Sequence, residues 1–178
     1  ALLKLNQDIP LDYNVYYNGW DRTNTPATSG VGIHHPGGDV KKISTYLTPA
    51  THITWNNGQG AANGHWNVTW AATQSGKSLM DKGSSGSPLF NQDKRVIGSL
   101  TGGPSTGNTP KCDQPASTHV GYYGKLWYHW DNNNIVDPST TMATYLDPVN
   151  SGVETIDGTY VQNQNPQANF GASSTDIY

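Results

Sequence analysis

An all-β fold is predicted by three features of the 178-residue chain. Twenty Gly and eleven Pro, with abundant Asn, Ser and Thr, supply turns and disfavour long helices. Short clusters of Val, Ile, Thr and aromatic residues recur along the chain, separated by those turn formers. Only one stretch carries helix signals.

The clusters give the expected strands in order: Val15 to Trp20, Val31 to His35, Ile43 to Leu47, His52 to Trp55, Trp66 to Trp70, Arg95 to Leu100 and Tyr122 to Trp130. Six or seven runs of this length suit a small antiparallel barrel or sandwich. The helix is expected over Thr140–Leu146, with Ser139 as its cap and Pro148 beyond its end. After Gly158 the composition turns Gln/Asn-rich, as in an exposed tail.

Charged residues make up 13% of the chain, about half the common share of roughly 25%. Six Trp and ten Tyr supply ring surface to bury, so the mean hydropathy of -0.64 does not signal disorder. A net charge of -3 and a pI near 6.0 leave no basic footprint for nucleic acid. No apolar run approaches the roughly 20 residues of a membrane-spanning helix. The lone Cys112 excludes an internal disulfide and any CxxC metal knuckle. Asn67-Val68-Thr69 fits a glycosylation sequon, a triplet that chance often produces. A start at Ala1, without a leader, is expected of a processed product or a piece of a longer chain.

The chemistry concentrates in Gly83-Ser84-Ser85-Gly86-Ser87-Pro88-Leu89-Phe90. A serine hydroxyl becomes a nucleophile when a base takes its proton and backbone N–H groups stabilise the oxyanion that forms. Glycines two residues before and one after Ser85 permit the tight turn that aims two N–H groups at one point. A strand ending in Thr101-Gly102-Gly103 follows, an extended edge suited to pairing with a substrate backbone.

The runs GSSGSPLF, RVIGSLTGGPS, YYGKLWYHW, YLDP and GVETIDG, with WDR and VGIHHPGGDVKKIS upstream, resemble the trypsin-like serine endopeptidases. Within that family they look most like the bacterial lysyl-endopeptidase branch, over residues 1–158. The resemblance implies the second barrel of a two-barrel protease: a six-stranded antiparallel Greek-key barrel with a short C-terminal helix. Residues 1–14 would be the segment following the catalytic Asp, 15–158 the barrel and its helix, and 159–178 a polar tail. The first barrel, with the catalytic His and Asp, would precede Ala1 and be this chain's partner. Ser85 would be the nucleophile of a secreted endopeptidase acting on polypeptides, and the N–H groups of Gly83 and Ser85 its oxyanion hole. Thr101, Gly102 and Gly103 would line the substrate channel. No cofactor or metal is implied, and the isolated chain is expected to be inactive.

Two positions depart from the family pattern. Ser84 stands where most relatives carry an Asp that pairs with a newly cut N-terminus. Gly121 stands where lysine-specific members carry an acid, so a substrate Lys would lack its counter-charge; Asp81 is the conceivable substitute. Cys112 is expected to bridge to the missing barrel, with a free thiol as the alternative. His34 and His35 are expected to hydrogen-bond loop backbone and fix the turn before Gly37-Gly38. A metal site with Asp39, or a catalytic base, are the competing readings. His52, His65, His119 and His129 lack metal-ligand spacing, and His119 is a candidate for substrate selection. Two other function classes remain: a catalytically inactive trypsin-like binding or adhesion module, and a carbohydrate-binding β-sandwich using the aromatic strand as a sugar platform.

Overall fold

The computed structural model describes residues 3–55, 58, 60–103, 119–132 and 141–160. Cys112 and Ser139 lie outside the described residues, as does the chain after Tyr160. The strands are β1 (Tyr16–Tyr17), β2 (Trp20–Asp21), β3 (Gly30–His34), β4 (Lys42–Tyr46), β5 (Thr51–Ile53), β6 (His65–Thr69), β7 (Ala72–Thr73), β8 (Gly76–Lys77), β9 (Pro88–Asn91), β10 (Val96–Gly102), β11 (Val120–Lys125), β12 (Thr155–Ile156) and β13 (Thr159–Tyr160). Two short helices, α1 (Leu126–Trp130) and α2 (Ala143–Leu146), sit near the C-terminal end.

The expected all-β architecture is what forms. The main sheet runs β4-β3-β9-β10-β11-β6-β5, with every neighbouring pair antiparallel. The sheet curls. Ala71, just beyond β6, donates its N–H to the carbonyl of Thr45 in β4 at 2.8 Å, joining chain near opposite ends of the path. Burial follows the strand period of two. In β6 and the next residue, Trp66, Val68 and Trp70 are buried, while His65, Asn67 and Thr69 alternate with them at half exposure. These rings meet Tyr46, Leu89, Ile97, Leu100 and Tyr123 in the main core, with Trp70 edge-on to both Tyr46 and Tyr123.

β9 is a strand that alternation does not reveal. Leu89, Phe90 and Asn91 are all buried because both faces of the strand are covered. Leu89 lies in the main core, the Asn91 side chain bonds Asp21 and the backbone of Asp93 and Arg95, and Phe90 is buried on the opposite face. The run Tyr122 to Trp130, expected as one strand, divides: β11 ends at Lys125 and α1 begins at Leu126. Here the apolar period changes from two to about four, and Leu126 and Trp130, one helical turn apart, close on Trp20 in a second core. The helix expected over Thr140–Leu146 is shorter than predicted, Ala143–Leu146, with Met142 rather than Ser139 at its N-cap. No side chain caps it, and Asp147 closes its far end by accepting the N–H groups of Ser151 and Gly152.

Candidate active site

Two consecutive turns present Ser85. Gly83 and Gly86 take φ of +89° and +82°, the left-handed region that glycine enters without strain. Ser84 N–H donates to Asp81 O (3.2 Å), Gly86 N–H to Leu100 O (2.8 Å) and Ser87 N–H to Ser84 O (3.1 Å). The N–H groups of Gly83 and Ser85 make no such bond to any described residue. Ser85 is exposed while Ser84 beside it is buried. The donors of Ser84, Gly86 and Ser87 are therefore committed to the loop and to β10, and those of Gly83 and Ser85 are left unspent beside an exposed serine. Unspent backbone donors are the kind of group an oxyanion hole draws on.

Beside the loop runs the end of β10. Gly86 N–H and Leu100 N–H cross-link the two, the second to Ser87 O at 2.9 Å. Pairing with β9 stops at Ser99, so Thr101 to Gly103 emerge beyond it with one flank on β11. A bulge between Leu100 and Gly102 displaces Thr101, whose Oγ1 lies 2.9 Å from His65 Nε2. Trp55 packs against Gly102, where an added Cβ would stand 3.0 Å from the indole. The same indole stacks on His65 and meets Tyr122 edge-on. Burial lowers the pKa of His65, and nearby His129 and Lys125 lower it further, favouring neutral imidazole. Sequence reading did not find Trp55 or His65 as neighbours of Thr101, since β5 and β6 reach that place only through sheet pairing.

The chain belongs to the lysyl endopeptidase C-terminal domain family. The model of that family matches residues 1–124, which hold the whole loop and both strands beside it. A relative named lysyl endopeptidase, from Pseudomonas aeruginosa, is 33% identical over 127 residues. That match covers 68% of this chain and 24% of the relative, so the chain spans about a quarter of that protein. The expected resemblance is thereby established, and a hydrolase lineage with it.

The remaining candidate residues of this lysyl endopeptidase-type domain fall at different distances from the loop. Asp81 begins the turn, half-buried, with its carboxylate on the N–H of Lys82 (2.7 Å). Gly121 is buried in β11 opposite Val68, and an added Cβ would stand 3.0 Å from the Tyr123 ring and 3.1 Å from Trp70. That spot is walled by rings, and Met80, buried near it, receives the Tyr123 hydroxyl at 3.6 Å. His119 is buried with its Nδ1 unpartnered among the described residues, and its carbonyl accepts Trp70 N–H.

The expectation for the paired histidines is half met. His35 Nδ1 lies 3.0 Å from the backbone carbonyl of Asp39, as a turn-fixing residue should. His34 bonds no loop backbone. It is buried between two serine hydroxyls, Ser84 and Ser44, because β3 alternation turns it inward. Among the described residues no group of His, Cys, Asp and Glu is placed to hold a metal. No described helix is long and apolar enough to cross a membrane.

Proposed function

We propose that this domain is the nucleophile-bearing part of a secreted serine endopeptidase. Its carrying observation is the pair of unspent N–H groups, Gly83 and Ser85, flanking the exposed hydroxyl of Ser85. In the reaction Ser85 Oγ attacks a peptide carbonyl carbon, and its proton passes to a histidine supplied upstream of Ala1, oriented by an upstream aspartate. The carbonyl oxygen takes the negative charge against the two N–H groups. The C–N bond then breaks as the histidine returns the proton to the leaving amine, and water releases the acyl group from Ser85. Thr101 to Gly103 would receive the substrate backbone as an added strand, with Trp55 beneath Gly102 holding that edge.

The side-chain pocket is read as apolar rather than acidic. Rings occupy the space beside Gly121, Met80 packs near them, and the Asp81 carboxylate is engaged by the Lys82 N–H. A lysine ammonium there would be buried without a carboxylate from either position, which is costly.

A fluorophosphonate probe tests the proposal on the full-length polypeptide carrying this chain. Ser85 Oγ attacks phosphorus, fluoride leaves and the hydroxyl proton goes to the base. Peptide mapping should place the label on Ser85, and Ser85→Ala should abolish it. A folded, full-length protein that takes no label would instead be a protease fold used for binding.

A further inference from the structure

Two residues of the nucleophile segment, Leu79 and Ser84, are tied to the same buried histidine. Ser44 Oγ donates its hydrogen to the carbonyl of Leu79 at 2.8 Å. With its hydrogen spent, Ser44 Oγ can only accept from His34 Nε2, 2.9 Å away, so that nitrogen carries the ring proton. His34 Nδ1 is then a bare lone pair, and it accepts the hydroxyl of Ser84 at 2.9 Å. The tautomer is dictated by a backbone carbonyl and transmitted to the residue next to the nucleophile. His34, Ser44 and Ser84 are each at most 2% exposed.

The turn following His34 clasps the same loop from outside. Gly37 N–H donates to Lys82 O at 2.6 Å, and Gly83 sits so close that an added Cβ would stand 3.2 Å from the carbonyl of His35. The segment from Leu79 to Ser84 is thus held at both ends and pressed against residues 35–38. Every group in the relay is neutral. A neutral hydroxyl at position 84 needs no cation, whereas a carboxylate buried there would.

We infer that His34 is a positioning residue for the reaction: through Ser84 it holds the N–H groups of Gly83 and Ser85 in their anion-receiving orientation, in a loop assembled without a charged partner. The inference rests on the proposal that Ser85 is the nucleophile, and it adds how that loop is kept ready. Displacing the donors by about 1 Å is enough to cost roughly 100-fold in rate.

The test measures fluorophosphonate labelling of Ser85 in the full-length polypeptide against probe concentration, which separates probe binding from the chemical step. His34→Phe removes both bonds and keeps a ring of similar size. Ser84→Ala removes only the link to the loop, and Ser84→Thr retains the hydroxyl. The chemical step should slow about 100-fold in His34→Phe and Ser84→Ala, with probe binding little changed, and recover in Ser84→Thr. Nitrogen-15 spectra of the wild-type chain should show His34 neutral, protonated on Nε2. A wild-type label with unchanged rates in both variants would overturn the positioning role, as would a ring protonated on Nδ1. A wild type that takes no label would overturn the nucleophile assignment and this inference together.

Discussion

Two of the nitrogen bases buried among the described residues, His34 and Lys125, are treated differently. At one place His34 lies between Ser44 and Ser84. At another, Lys125 ends β11 with no exposed surface, its ammonium 4.0 Å from the centre of the Trp66 ring and near Trp127. Asn24 Oδ1 accepts from that ammonium at 2.7 Å, and His52 Nδ1 is its other partner. Neither base has an ion-paired carboxylate among the described residues. Burial, and then His35, lower the His34 pKa below 6.5, so the ring is neutral at pH 7 and hydroxyls satisfy it. Lysine starts from 10.5, and burial brings it only to about 8, so it keeps its charge at neutral pH against aromatic faces. A base that titrates near neutrality is buried by losing its proton. One that titrates far above it must find neutral acceptors and π-faces.

Removing the ring beneath Lys125 should break the comparison most severely. Trp66→Ala deletes a fully buried indole of the main core, its N–H bond to Ile97 O and the cation's main π-face together. It should cost about 3–5 kcal/mol in denaturant unfolding. The corresponding change at the other base, His34→Phe, leaves the hydroxyl of Ser84 buried without its acceptor. Roughly 1–3 kcal/mol should be lost, a smaller cost because no cavity opens. A larger loss at His34 than at Trp66 would reverse the ranking and show that the hydroxyl relay, not the aromatic core, dominates stability.

Stability against pH sharpens the contrast. Both bases have depressed folded pKa values, so the unfolded chain binds more protons in each window and stability rises with pH there. For Lys125 the window runs from about 8 to 10.5. Lys125→Met should flatten the unfolding free energy between those pH values, and a slope that persists would assign it to another group. For His34 the contribution is present above pH 6.5 and lost as pH falls below it. His34→Phe should shallow that acid limb; His35 and the other histidines stay in place to report the remainder. Smallest of all is the exposed pair of Asp39 and Lys42 at 3.3 Å. Asp39→Asn should leave the melting temperature unchanged within error, because solvent screens both charges.

Legibility in the sequence followed the range of the interaction. The strand at Trp66 to Trp70 could be read because each side chain's face is set by its own position in a period-two run. The turn that presents Ser85 could be read because glycine's freedom at Gly83 and Gly86 is a property of those residues alone. β9 was hidden because both its faces are covered, which erases alternation. The change from strand to helix at Leu126 was hidden because aromatic residues serve either element. What decides it is the packing of Leu126 and Trp130 on Trp20, more than a hundred residues earlier.

The sequence by itself therefore determined the class of fold, the family resemblance and the turn that presents Ser85, since these rest on short local patterns of the chain. Tertiary structure alone decided the company each residue keeps. It set His34 against Ser84 fifty positions away, Lys125 against Asn24 at 101 positions, and Trp55 beneath Gly102. The physical reason is that such contacts exist only after the sheet has paired. A lone histidine in a sequence carries no mark of whether pairing will give it a carbonyl, a hydroxyl or a cation as its neighbour.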